Sequence, residues 1–383
     1  QDTPAAEQLA IDRRLIRLYH GELGDPAAAW TAGLRVLATD PADADTRAAL
    51  AALAGQLGRD GEWGKVLAGA LAQLRPHGGG PAVRAVATEL ARHATDRLSD
   101  HPAAERAWLV VLEVEPVAAD AFDALAGAYR ASERWHDLRA LLERRAAVTV
   151  DATVRRGVLL ELAALEEDVL GDIGAAIAAH ARVLELDPGY LASYFALDRL
   201  YAAGAQWHEL EGLLMRQAEF TEAPRARNEL AYRRAELFAH RLGDPMRAID
   251  LLETVIGAHR SHADARELAE ELLAQATTPE VTLRTARLLA PLYEQDRLWK
   301  DLVGVLRAQR TLATGTEAVE LLARIASLEE AELGAPRAAF EAWREVLSLD
   351  PTHDRARAEL TRLARALGRW PEAAAALEAA AAA

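Results

Sequence analysis

"LAALEEDVLGDIGAAIAAHARVLELDP", residues 162–188, reads as two helices with a corner between them and a stop at the end. The corner is "LGD". Gly171 suits the left-handed residue that ends a helix, and Asp172 can cap the next helix through its carboxylate. Pro188 prevents the second helix from continuing. The same corner recurs as "ELGDP" (22–26), "RLSDHP" (97–102), "RLGDP" (241–245) and "ELGAP" (332–336). Where proline follows the aspartate it suits a first helical turn, since its missing N–H costs nothing there. The leucine before the glycine, Leu23 in the first copy, is expected to close an apolar face. One helix–corner–helix construction is therefore written five times.

The glycine-like positions Gly24, Ser99, Gly171, Gly243 and Gly334 stand 75, 72, 72 and 91 residues apart. Seventeen residues beyond each comes a second mark: Pro41, Pro116, Pro188, Arg260 and Pro351. Twelve residues before that mark every copy has alanine: Ala29, Ala104, Ala176, Ala248 and Ala339. A small residue there lets two helix backbones approach closely. Val36, Val111, Val183, Val255 and Val346, each followed by Leu or Ile, supply the buried area.

Tryptophan is a third mark, at Trp63, Trp135, Trp207, Trp299 and Trp370, and is read as a packing anchor. Tyr129, Tyr201 and Tyr293 precede three of these by six residues, and Leu57 and Ala364 take that place in the outer copies. Each unit then holds four helices, A to D, with approximate boundaries 1–78, 79–150, 151–222, 223–312 and 313–383. The fourth carries an extra helix at 261–278. "PHGGGPAVR" (76–84) reads as a flexible joint between the first two units.

Composition agrees with an all-helical reading. The 383 residues are 51% hydrophobic but only 5% aromatic, so the core is made of closely approaching helices. The net charge of −15 repels phosphate backbones, which argues against nucleic acid. With no cysteine, thiolate metal sites and thiol catalysis are excluded. No apolar run reaches the ~18 residues that span a bilayer. The compartment is open: a cytoplasmic protein and an exported, processed one both fit a soluble chain of this kind.

Residues 162–188 resemble a tetratricopeptide repeat (TPR), with the glycine–aspartate corner, the small residue five positions after the glycine, and the closing "LELDP". That repeat has two helices and a period of 34 residues, close to half of the present unit. The C–D half, as in "YFALDRLYAAGAQWHELEGLL", looks like a second, diverged repeat. The resemblance covers the whole chain and implies an all-α fold, an α-solenoid forming a right-handed superhelix of about ten TPR-like hairpins. One departure stands out. The small residue usual in the family's first helix falls, by counting back from the proline, on Arg17, Arg92, Ala164, Glu236 and Ser327, so either helix A packs differently or the register is offset by one residue.

Chemistry is sparse. His208-Glu209 lacks a second histidine four residues on, and His259 and His262, with Asp264 nearby, read as exposed turn histidines rather than metal ligands. No phosphate loop and no Ser–His–Asp order stands out. No enzyme, cofactor or metal is expected. In the resembled family the first helix of each hairpin lines a concave groove. Arg14, Arg233, Arg287 and Arg324 share one repeat position on such helices, and Arg199 and Arg362 fall four residues further along theirs. Arginine there could pair with carboxylates of an extended partner. The lysine–asparagine clamp of some relatives is not found, since Leu237 and Leu328 stand four residues after Arg233 and Arg324. The expected function is a non-catalytic scaffold binding a protein or peptide in its concave groove, an acidic segment being one candidate ligand. The alternative is a structural protein whose open ends self-assemble into an oligomer or filament, a heterologous contact that does not close.

Overall fold

The computed structural model describes residues 5–78 and 80–382, and among these there are twenty-one α-helices and no strand. In order they are α1 Ala5–Arg17, α2 Pro26–Thr39, α3 Ala44–Leu57, α4 Asp60–Leu74, α5 Gly80–His93, α6 His101–Val114, α7 Ala119–Ala131, α8 Trp135–Val148, α9 Ala152–Ala164, α10 Ile173–Leu186 and α11 Leu191–Ala203. They continue as α12 Trp207–Phe220, α13 Pro224–Leu237, α14 Pro245–Ala258, α15 Ala263–Ala274, α16 Pro279–Gln295, α17 Trp299–Leu312, α18 Gly315–Ala331, α19 Pro336–Leu349, α20 Asp354–Leu367 and α21 Trp370–Ala382. The chain divides into two compact units, Gln1–Ser193 and Tyr194–Ala383, each a solenoid of stacked helical hairpins. One hairpin cannot bury its apolar stripe alone, and its neighbours in the stack do so.

The corners form as their sequence dictates. Gly24, Ser99, Gly171, Gly243 and Gly334 all have φ between 53° and 70°, the left-handed region. Asp25, Asp100, Asp172 and Asp244 each accept the N–H three residues on, at 2.9, 3.0, 2.9 and 3.1 Å. The fifth corner has Ala335 in this place and no side-chain cap. The five corner alanines are buried, and Val36, Val111, Val183, Val255 and Val346 are fully so.

Helix A carries a feature with no sequence signal. Four of the five A helices end in a π turn, at Leu18–Glu22, Ala94–Leu98, Leu165–Leu170 and Phe238–Leu242. The fifth keeps the same wide closure, in which the Ala335 N–H reaches back six residues to the Glu329 carbonyl. A π turn holds one residue more than an α turn. This corrects the register expected for the small residue of helix A. The buried positions are one residue earlier, at Ile16, Ala91, Ala163, Ala235 and Ala326, and four of these five are alanine. Helix A thus does offer a small residue to its partner, and the wide last turn absorbs the extra residue.

The C–D corners need a second correction. Their left-handed residues are Gly58, Glu133, Ala205, Arg297 and Gly368. In each case the carbonyl four residues earlier receives the N–H that closes the turn: Ala54, Tyr129, Tyr201, Tyr293 and Ala364. Ala54, not Leu57, is therefore the first copy's equivalent of the tyrosines. The three residues that lengthen the first interval to 75 from the usual 72 lie beyond the turn, in α4, which starts at Asp60 ahead of Trp63. Trp63 is accordingly buried, whereas the other four tryptophans open their helices at the first position; Trp135, Trp207 and Trp299 are half-buried and Trp370 is exposed. Only Trp63 is a core anchor in the full sense.

Leu23 is 61% exposed rather than closing an apolar face, while Leu98, Leu170 and Leu242 at the same corner position are half-buried. Leu98 packs on the preceding D helix, next to Gly64. The expected joint at 76–84 is largely ordered: a 3-10 turn covers Arg75–His77, and α5 begins at Gly80. Gly79 lies outside the described residues.

Alternate helices form two layers within each unit, laced by ion pairs between next-but-one neighbours. In the first unit Arg47 of α3 meets Glu89 of α5 at 3.0 Å, and Arg130 of α7 meets Glu161 of α9. In the second layer Arg182 of α10 meets Glu143 of α8 at 3.0 Å. In the second unit α16 belongs to both layers. Its Arg284 binds Asp250 and Glu253 of α14, while its Arg287 and Glu294 bind Glu317 and Arg324 of α18. Helix α15 begins twenty residues after Gly243, the same offset at which α3, α7, α11 and α20 follow their own corner residues.

Candidate functional site

The first-layer helices carry the residues of interest, and their arginines do not stand free. Arg233 on α13 reaches Asp198 on α11 at 2.8 Å. Arg324 on α18 reaches Glu294 on α16 at 2.8 Å, and Arg287 on α16 reaches Glu317 on α18 at 2.6 Å. Arg362 on α20 binds Glu330 of α18 at 2.5 Å and Glu359 of its own helix at 2.7 Å. The two carboxylates hold the Arg362 guanidinium well above its ordinary value. The structure thus brings Arg287, Arg324 and Arg362 onto the adjoining helices α16, α18 and α20, with Arg233 on α13 of the same unit. Arg14 lies on α1 in the other unit, exposed and without a salt bridge. Arg199 is an exposed residue of α11.

These pairs are surface ones. The four paired arginine side chains remain 39%, 54%, 43% and 53% exposed, in the order Arg233, Arg287, Arg324, Arg362. Such pairs are worth about 0–1 kcal/mol each. A guanidinium has five N–H donors in a planar fork, so one carboxylate partner leaves donors for another. The pattern is a row of alternating charge that sequence spacing alone hides, because every partner but Glu359 sits thirty or more residues from its arginine and on another helix.

Other polar clusters are structural. At two C–D corners the tyrosine hydroxyl donates to a glutamate: Tyr129 to Glu105 at 3.0 Å and Tyr293 to Glu270 at 3.1 Å. An arginine lies over each ring, Arg134 at 4.7 Å and Arg266 at 5.1 Å from the centroid. Burial, together with the Glu105 carboxylate, pushes the Tyr129 hydroxyl up to about 12. His262 is not an exposed turn residue: its side chain is 11% exposed, and its Nδ1 accepts the Ala265 N–H, capping α15. His353 does the same for the Ala356 N–H at α20. Among the described residues no three His, Asp or Glu side chains are grouped to hold a metal, and no helix is long and apolar enough to cross a membrane.

No protein-family model matches the chain, and no curated protein matches it. Solved structures similar to it include a chain of the Naa15/Naa10 complex bound to HypK-THB, at 13% identity and a TM-score of 0.34, covering 98% of this chain and 63% of that one. The chain thus spans less than two thirds of that protein's length. A second is YrrB, a TPR protein with an unusual peptide-binding site, at 16% identity and TM-score 0.26, covering 49% of this chain and 91% of that one. A third is the TPR domain of P58(IPK), at 15% identity and TM-score 0.24, covering 96% and 99% respectively. With its left-handed corners, buried corner alanines and paired helices, the chain is built of TPR-like helical hairpins.

Proposed function

We propose that this chain is a non-catalytic protein-interaction scaffold that holds a peptide or protein segment against its first-layer helices. Acidic groups of that segment would meet Arg233, Arg287, Arg324 and Arg362. One observation carries the reading: these arginines bridge separate first-layer helices through half-exposed pairs, so a ligand carboxylate can join or replace the in-chain partner at little cost. The test is titration of labelled glutamate-rich peptides at two ionic strengths, beside a melting curve. The triple variant R233Q/R287Q/R324Q should bind at least tenfold more weakly and with less salt sensitivity. Unchanged affinity with an intact fold would reject the surface.

A second reading, stacking of copies end to end, draws on Leu23 and Trp370. They are 61% and 47% exposed; at the equivalent positions Leu98, Leu170, Leu242, Trp135, Trp207 and Trp299 are half-buried, Trp63 is buried and Leu333 is 39% exposed. Sedimentation over a hundredfold concentration range decides it, and a monomer throughout would reject it.

A further inference from the structure

Between α4 and α6, both second-layer helices of the first unit, runs an open groove of about 630 Å³. Its α4 wall presents Gly61, Lys65, Ala68, Ala72 and Arg75, spaced four, three, four and three residues apart along one helix face. The α6 wall is Ala103, Ala107 and Val110, with Arg106 and Glu113 on the rim, and buried leucines form the floor. A Cβ built on Gly61 meets nothing within 4 Å, so the wall is open to a visitor.

The charges of this groove are unbalanced. Both carboxylates are engaged: Asp100 accepts the Ala103 N–H, and Glu113 is bridged by Arg75 at 2.7 Å. Lys65 and Arg106 are exposed and make no salt bridge. That is notable in a chain of net charge −15 with forty-four Lys and Arg against fifty-nine Asp and Glu. The corresponding groove between α17 and α19 differs. There Arg310 binds Glu345 at 2.8 Å, Arg344 binds Glu341 at 2.6 Å, and Arg307 binds Glu329, so its arginines are spent within the chain.

We propose that the α4–α6 groove docks an acidic amphipathic helix of a protein partner. Its small apolar face would lie on Gly61, Ala68, Ala72 and Ala103, and its carboxylates on Lys65 and Arg106. Three features select this occupant. Small residues at helical spacing on both walls allow a third helix backbone to come close, as the corner alanines allow within the chain. The apolar floor rewards burial of short aliphatic side chains. The two unspent cations favour carboxylates and disfavour a basic helix by like-charge contact. The site is in the first unit, whereas Arg233, Arg287, Arg324 and Arg362 are in the second, and it does not depend on the function proposed for them.

The probe is a synthetic eighteen-residue helix of alanine, leucine and glutamate with a fluorescent end label, and its control carries lysine for glutamate. Anisotropy should show saturable binding of the acidic helix and at least tenfold weaker binding of the lysine helix. K65E/R106E should lose at least tenfold in affinity for the acidic helix with an unchanged melting curve, because both residues are exposed and unpaired. With the second-unit arginines removed by R233Q/R287Q/R324Q, the acidic helix should still bind, and K65E/R106E should still weaken that remaining binding at least tenfold. The chain has no cysteine, so G69C, on exposed surface beside the groove rather than in its lining, labelled with a polarity-sensitive dye locates the site, and its emission should shift blue on adding the acidic helix. Equal binding of both helices, or affinity unmoved by K65E/R106E, overturns the proposal. A dye shift that grows with protein concentration and needs no peptide also overturns it, since the occupant is then a second copy.

Discussion

Leu50 stands so close over Gly33 that a Cβ on the glycine would lie 2.6 Å from the leucine Cδ2 and 2.8 Å from its Cγ. Both residues are buried, on α2 and α3. At the position of Gly33 the other copies carry Trp108, His180, Leu252 and Trp343. The first copy moves that volume one turn back to Trp30, which is 1% exposed and meets Trp63 edge-on at 6.2 Å between ring centroids. Replacing Gly33 by alanine should gain about 1 kcal/mol in helix propensity and lose about 1–3 kcal/mol to overpacking. Leu50 is fully buried and three of its side-chain carbons lie within 3.1 Å of the added Cβ, so the expected net effect is destabilising, read as a lower Tm. A higher Tm would mean that α2 and α3 separate at no cost.

The fifth corner offers a gain. Ala335 sits at φ −110°, ψ 65°, near the φ −108°, ψ 86° of the capping Asp25. Ala335→Asp should therefore cap α19 and add about 0.5–2 kcal/mol, while Asp172→Ala should remove a similar amount at α10. Chemical denaturation of the two variants beside the parent checks both signs.

Much of this fold is legible in the sequence because the repeat writes backbone demands as residue types. Glycine or serine marks each left-handed corner between helices A and B, aspartate marks four of the five caps there, and alanine marks the close approach at Ala29 and its equivalents. The π turns are not legible, since no residue type specifies them, and Ala91, Ala163, Ala235 and Ala326 were one residue out of register for that reason alone. Counting from Trp63 lands on Leu57, whereas counting from the left-handed Gly58 lands on Ala54, because the first copy has extra residues between the turn and its tryptophan. The arginines of the candidate surface could be found by spacing. Their carboxylate partners could not, since pairing between helices depends on the stacking itself.

Glu166 gives a pH test. It is 1% exposed, with Arg139 at 2.7 Å from one oxygen and no hydrogen-bond partner on the other. Burial raises its carboxyl above the ordinary 4.5, and Arg139 only partly opposes this. The folded state then holds the proton more tightly than the unfolded chain does. Stability is favoured below the unfolded value and falls as pH rises through the folded one. Glu166→Gln should flatten this slope, so the Tm of the parent relative to E166Q should be higher at pH 4.5 than at pH 8. Phe238 fills the same repeat position in another copy. Glu166→Phe should therefore be neutral or stabilising by roughly 1 kcal/mol or more at pH 7, given that Arg139 is 41% exposed and can return to water.

Stability and binding can be separated at Arg324 and Glu294. Arg324→Glu alone sets two carboxylates face to face on α18 and α16. With the wild-type side chains 43% and 52% exposed, the cost should not exceed about 1 kcal/mol. The swap R324E/E294R restores opposite charges at the same place and should recover the parent's Tm. It also leaves one guanidinium on the surface, displaced by one helix. If an acidic segment is read by the row of charge, the swap should recover most of the affinity that Arg324→Glu removes. If the segment is read by Arg324 itself, Tm returns and affinity does not. Affinity that never falls in either variant would show that this pair takes no part in recognition.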